Sequence, residues 1–286
     1  MTSSATARRL WALGEPLHAV IYFAEECLAA GERAGLFGFW QTYFALRAAP
    51  LGPVGPAVVT ATFYNFAPAF VARRVPAVWD AVTPFDALAA RLDGVDAALR
   101  RVLGEGIDAG EMAEAAELAS AAAAAVDLPG RPLAAANSAV ALPGEPHLRL
   151  WQALTTLREH RGDGHVAALV QREIDGIGAH VLAAAAGRST REWLQKARGW
   201  DDEAWDGAAA ELTDRGWLAD GELSAEGLAM VAAVEADTDR LALGPWRALG
   251  DPGCDRLAEL LTPLRRAVVA AGEWPSGNPI GAPEPS

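Results

Sequence analysis

Two groups of ionisable side chains stand at spacings that chemistry can use. His18 and Tyr22 are four residues apart, as are Tyr43 and Arg47, and a four-residue step places two side chains on one face of a helix. A guanidinium can hold a carboxylate, and tyrosine and histidine can donate, accept or transfer a proton. Walled by Trp40 and Phe44, these residues would make an apolar pocket with a few polar anchors. The plainer alternative is that the aromatics are core and Arg47 is paired with a carboxylate. The second group, Arg158, His160, Arg161, Asp163 and His165, is the densest ionisable cluster of the chain. Asp163 can orient His160 or His165 as a base, or it can simply cap a helix start. Asn65 and Asn137 can line a pocket or satisfy local backbone groups.

These residues support two kinds of function. In a binding protein, Trp40, Tyr43, Arg47, Asn65, Arg158 and Asp163 would contact a small aromatic or anionic molecule. In an enzyme, His18, Tyr22, His160 and His165 would carry acid–base chemistry on such a substrate without an organic cofactor. Neither a metal nor a cofactor is expected. His160 and His165 are five residues apart, whereas a helical zinc pair is four apart with a third ligand nearby. No haem-attachment motif, phosphate loop, dinucleotide glycine fingerprint or nucleophile elbow is present.

The elements that must position these residues are mostly helical. Apolar residues recur at helical spacing from about Thr6 to Ala30, and an aromatic helix is expected over Phe37–Arg47. Prolines and glycines from Pro50 to Pro56 force a loop. The run Ala57–Phe66 reads as helix, since no partner strands surround it. Thr83 and Pro84 are an N-cap and first-turn proline for a helix reaching about Leu103, and the alanine-rich run Asp108–Val126 is helix-favouring. A helix over Pro146–Arg161 is expected to break at Gly162-Asp163-Gly164 and resume from His165 to about Ala186.

Ser189-Thr190-Arg191-Glu192 reads as a capping box opening a short helix that Gly199 ends. Asp201 can cap a second helix to about Arg215. The turn Asp220-Gly221 between Trp217-Leu218 and Glu222-Leu223 suggests a small wing, and Ser224 caps a further helix to about Leu243. That order is a winged helix-turn-helix. Its recognition helix nevertheless opens with Asp201, Asp202, Glu203 and Asp206 and has no Lys or Arg before Arg215. Between Arg188 and Arg247, seven basic residues face thirteen acidic ones, a net charge of −6. Phosphate contacts need Lys and Arg, so nucleic-acid binding is not expected. A last helix over Asp255–Gly272 precedes a tail, 273–286, expected to be disordered.

Composition sets the outer bounds. The chain has 286 residues, 51% hydrophobic and 21% charged, with a net charge of −13, a globular balance that favours solubility. Cys27 and Cys254 fit neither a disulfide framework nor a zinc spacing and read as buried thiols. Glu15, Pro16 and His18 interrupt what a signal peptide would keep apolar, and no apolar run is long enough to span a bilayer. A cytoplasmic protein without a membrane partner is expected.

The segments Glu15-Pro16-Leu17-His18-Ala19-Val20-Ile21-Tyr22-Phe23, Phe39-Trp40 and Tyr43–Gly52 are distinctive, as are Ala61-Thr62-Phe63-Tyr64-Asn65-Phe66 and Leu157–Leu169. Together they resemble the actinobacterial SalK-type helix-turn-helix family over nearly the whole chain. From about His165 to Arg266 the chain also resembles MarR-type winged helices. The resemblance implies a regulator by analogy only, since shape does not determine function. The expected architecture is all-α with a small β-wing: an aromatic-rich helical ligand-binding domain over 1–145 and a winged-helix domain over 146–272. The expected function is binding of a small molecule in bacterial secondary metabolism, by a dimer. The alternatives are a cofactor-independent enzyme and a MarR-like transcriptional regulator.

Overall fold

Short-range signals start many of the helices. The computed structural model describes residues 2–104, 110–275 and 280. Helix α1 (Ser4–Phe23) is capped by Ser3, whose hydroxyl accepts from the Thr6 amide. Pro16 lies inside it and cannot donate to the Ala12 carbonyl, a loss that normally weakens a helix. Arg265 Nε supplies the missing donor to that carbonyl at 3.3 Å. The single helix expected to Ala30 is in fact two, because Ala24 adopts an extended conformation between α1 and α2 (Glu25–Arg33).

The aromatic helix α3 (Gly38–Ala48) runs into a 3₁₀ turn, Ala49–Leu51, and α4 (Pro56–Phe63) follows the proline-rich loop. Helix α4 stops three residues short of the expected end. Tyr64 has φ 62° and ψ −52°, a conformation that strains a side-chain-bearing residue and does not continue a helix. Two short helices, α5 (Pro68–Ala72) and α6 (Val75–Ala81), lead to α7 (Pro84–Leu103), where Thr83 and Pro84 act as expected. Helix α8 (Gly110–Ala123) carries the alanine run; the expected start at Asp108 lies outside the described residues. After α9 (Pro132–Ser138) comes α10 (Pro146–Val170).

Helix α10 is unbroken, which corrects the expected interruption at Gly162-Asp163-Gly164. It lies against α1, α7, α8 and α9, and this packing supports the helix through its two glycines. Gly164 is there for space: a Cβ on it would stand 2.9 Å from Arg131 Nη1 and 3.2 Å from Leu241 Cβ.

The chain then forms α11 (Gly176–Ala185), α12 (Arg191–Arg198) and α13 (Asp202–Asp214). A two-stranded antiparallel hairpin, β1 (Leu218–Ala219) and β2 (Glu222–Leu223), and α14 (Ala225–Leu241) follow. Asp201 and Ser224 cap α13 and α14 as expected. Thr190, not Ser189, caps α12, through the Trp193 amide, so the expected capping box does not form. The hairpin turns at Asp220 and Gly221, with φ 52° and 83°, as a tight two-residue hairpin requires.

Helix α15 (Gly244–Ala270) starts earlier than expected and kinks at Gly250. It packs back on α1 and α8. One apolar core therefore gathers residues of α1, α2, α7 and α8 together with 148–157 and 242–268, and it includes the fully buried Trp151. A second core spans 168–234, and a third is aromatic, around Phe44, Phe63, Phe66 and Phe70. The cores thus follow packing and do not divide at residue 145. At the start of the expected disordered tail, Glu273 is ion-paired with Arg101 at 2.5 Å and Trp274 packs edge-on against Phe23. Residues 276–279 and 281–286 lie outside the described residues.

Candidate functional site

A cavity of about 370 Å³ lies where α1, α3, α4 and α10 meet α11, α12 and α14, a volume within the range of small-molecule sites. It brings together residues from both sequence clusters. Tyr22, Trp40, Tyr43 and Arg47 reach it from one side, Asn65 from the α4 turn, and Arg158 and His165 from α10. The aromatic wall is held by its own contacts: Trp40 meets Tyr43 edge-on at 5.7 Å, and Phe63, also in the wall, is stacked by Phe44 from behind at 5.9 Å.

Beneath the aromatics runs a chain of charge-assisted bonds. Trp11 Nε1 donates to Glu15 Oε2 at 2.6 Å, and Arg158 Nε donates to Glu15 Oε1 at 3.1 Å. Arg158 Nη1 also reaches Glu159 Oε2 at 2.9 Å. Arg47 grips Glu159 with two nitrogens, at 3.1 and 3.2 Å, and donates a third bond to Tyr43 Oη at 2.9 Å. Burial alone would raise the Glu159 carboxyl, but Arg47 and Arg158 together hold it well below the carboxylate range. Arg47 is thus already spent on an internal carboxylate.

Three expected site residues do not reach the cavity. His18 sits one layer behind it, its Nε2 3.2 Å from Tyr22 Oη and its Nδ1 3.0 Å from Thr155 Oγ1. Burial and the neighbouring Arg158 push its basicity well down, while burial pushes the Tyr22 phenol up, even against the pull of Arg47. His160 lies in a smaller pocket near Trp246; burial and Arg131 lower it to about 4. Asp163 accepts from the Ala134 amide at 2.9 Å, so it satisfies the start of α9 from a distance instead of orienting a histidine. Burial raises its carboxyl to about 6.

His165 does reach the cavity. Thr238 Oγ1 donates its only hydrogen to the Val234 carbonyl at 2.7 Å, so it must accept from His165 Nδ1, 2.9 Å away. The imidazole therefore carries its proton on Nδ1 and keeps an unprotonated Nε2. Burial lowers its pKa to about 4.

Sequence reasoning passed over three groups that line the cavity. His180 donates Nε2–H to the Asn65 carbonyl at 3.0 Å, Glu235 ties together Arg8, Arg161 and Arg188, and Arg198 projects from the end of α12. Arg198 was legible in principle. Leu194, Ala197 and Arg198 form the buried i, i+3, i+4 stripe of α12, and an arginine on an apolar stripe asks for an explanation. Among the described residues, no group of three His, Cys, Asp or Glu side chains is placed to hold a metal ion. None of the described helices is long and apolar enough to cross a membrane.

No curated protein and no solved structure matches the chain. The profile of a helix-turn-helix family matches residues 7–275, nearly its whole length, across both halves that build the cavity. The chain belongs to that helix-turn-helix family.

Proposed function

We propose that this protein binds a small, flat, largely aromatic molecule in the cavity between its N-terminal helices and its helix-turn-helix segment. The observation that carries the reading is the convergence of Tyr22, Trp40, Tyr43, Arg47, Asn65, Arg158 and His165, from distant parts of the chain, on one space of ligand size. In the same reading, α11 to α14 with the β1–β2 hairpin form a winged helix-turn-helix, and the helices before it, with α15, form the receptor half.

Binding is favoured over acid–base catalysis by the electrostatics. A general base works best when its pKa lies near the working pH. His18 and His165 are both displaced downwards and Tyr22 upwards, so none is poised for proton transfer at neutral pH. A nucleic-acid-binding regulator is the second reading, and family membership favours it.

Titration with a chemically broad set of flat aromatic compounds tests the first reading. Trp11, Trp40 and Trp193 line the cavity, so an occupant is expected to change tryptophan emission saturably at one site per chain and to raise the thermal midpoint. A library that shifts neither signal would remove the proposal.

A further inference from the structure

Five arginines and three carboxylates line the cavity: Arg47, Arg158, Arg161, Arg188 and Arg198 against Glu15, Glu159 and Glu235. A positive excess here, in a chain of net charge −13, is the reverse of the bulk composition. Four of the arginines are ion-paired. Arg47 holds Glu159, Arg158 holds Glu15 and Glu159, Arg161 holds Glu235 and Asp239, and Arg188 holds Glu235.

Arg198 is the exception. It is 9% exposed, yet among the described residues it has no carboxylate partner. Its one hydrogen bond runs from Nη1 to the adjacent Ala197 carbonyl at 3.2 Å, and its Nε is buried without a partner. Its guanidinium lies 4.6 Å from the centre of the Phe66 ring, within the aromatic cluster that includes Trp40, Tyr43 and Phe63. Arg91 provides the contrast. Buried more deeply, also without a carboxylate and with its own Nε unpartnered, it nonetheless directs both Nη1 and Nη2 to side-chain acceptors, Asn137 and Gln152, at 3.3 and 2.8 Å. A buried guanidinium with unused donors is costly unless something else supplies an acceptor.

We propose that Arg198 is the anion anchor of this cavity and that its ligand is an aromatic monoanion, held by the guanidinium at one end and by the Trp40–Tyr43–Phe63 wall along its ring. The inference rests on the small-molecule reading above and adds the charge of the ligand and the residue that selects it. A planar guanidinium pairs two donors with a carboxylate or sulfonate. Placed at the C-terminal end of α12, it also makes the first helix of the helix-turn-helix pair a wall of the site. The Arg198 carbonyl accepts from the Ala67 amide at 3.0 Å, so the anchor is already tied to the segment after α4.

Two fluorescent probes of one shape separate the two claims: 8-anilinonaphthalene-1-sulfonate and its neutral counterpart, N-phenyl-1-naphthylamine. Wild-type protein is expected to bind both, the anion more tightly. Arg198→Met should weaken the sulfonate by roughly tenfold or more while changing affinity for the neutral amine less than about twofold, and Arg198→Lys should recover part of the loss. Near-ultraviolet circular dichroism and the thermal midpoint verify that each variant is folded; removal of an uncompensated buried charge is not expected to lower the midpoint. Equal binding of anion and amine by Arg198→Met and wild type would overturn the anchor and leave the cavity reading intact. Failure of wild type to bind either probe would overturn both. Collapse of the thermal midpoint in Arg198→Met and Arg198→Lys alike would show that the guanidinium is structural, and would also overturn the anchor.

Discussion

Arg47 and Glu159, 112 residues apart in sequence, form a two-bond ion pair with Nε–Oε1 at 3.1 Å and Nη2–Oε2 at 3.2 Å. Both side chains are almost wholly buried. The pair joins α3 to the central helix α10 directly beneath the aromatic wall, so it fixes where Tyr43 stands relative to Arg158.

Removing one partner of such a pair leaves a buried charge uncompensated, at a cost of about 3–5 kcal/mol. Glu159→Gln is therefore expected to lower stability by about that amount in a denaturant titration. Arg158 retains Glu15, so the loss should fall mainly on Arg47. The double change Arg47→Met with Glu159→Leu should be less damaging than Glu159→Gln alone, because it removes both desolvation penalties. A cost for Glu159→Gln below about 1 kcal/mol would show the pair to be ornamental.

Acidification should destabilise the protein, and the sign follows from the histidines. His160 and His165 are lowered to about 4 and His180 to about 3, each from 6.5, and His18 also lies well below that value. Their folded-state pKa values are depressed, so the unfolded chain binds more protons below pH 6.5. The associated stability is full above 6.5 and is lost as pH falls towards 4. Asp163 acts oppositely. Raised from 3.8 to about 6, it stabilises fully below 3.8 and loses that contribution as pH rises through 6, so it offsets one histidine. Each net proton taken up on unfolding contributes about 1.4 kcal/mol per pH unit. Urea midpoints at pH 7.5 and 5.0 should differ accordingly, and His165→Gln should reduce the slope; a midpoint independent of pH in that window contradicts the assignment.

Much of the fold was legible because its signals are local. Thr83, Asp201 and Ser224 each cap the helix that follows them, and Asp220-Gly221 makes the hairpin turn; these motifs act within four residues. What failed was long-range. Gly162-Asp163-Gly164 looks like a break, yet Gly164 makes room for Arg131 and Leu241, and the aspartate caps α9. The candidate site divides in the same way. The spacing of His18 with Tyr22, and of Tyr43 with Arg47, correctly implied a shared face. No spacing could tell that Glu159 would consume Arg47, or that His18 would stand one layer back. In the sequence Arg198 is only one of the seven basic residues in the net charge of 188–247, because its position at the end of α12 says nothing of a cavity on the buried side.

The acid of α13 leads to a prediction about nucleic acid. Asp202 and Asp206 are exposed, and the nearby base, Arg191, is already shared between them at 2.7 Å each. Among the described residues, the first turns of α13 carry no Lys or Arg of their own for the phosphate contacts that supply most non-specific affinity. A gel-shift titration against the region upstream of the protein's own gene is expected to show no retardation at micromolar protein and low salt. Retardation that weakens steeply with added salt is the signature of phosphate contact and would instead favour the regulator reading.

The contact between the α4 turn and α11 supplies a last prediction, through glycine. A Cβ on Gly176 would lie 2.3 Å from the Tyr64 carbonyl oxygen and 2.9 Å from Asn65 Cα, both backbone atoms that cannot swing aside. The turn they belong to is held in place by its own bonds. Tyr64 Oη donates to the Ile174 carbonyl at 2.5 Å, and the Asn65 carbonyl accepts from both His180 and Trp200, at 3.0 and 3.1 Å. Gly176→Ala should therefore push α11 away from the turn, cost about 1–3 kcal/mol, and weaken binding in the cavity that both elements line. Gly207, inside α13, has nothing within 4 Å of the same position, so Gly207→Ala should stabilise by about 0.5–1 kcal/mol from helix propensity alone. The two substitutions are chemically identical, and opposite signs in one denaturation series would assign the difference to the close approach at Tyr64. If both stabilise, the α4 turn and α11 are not in rigid contact, and the cavity between them is not preformed.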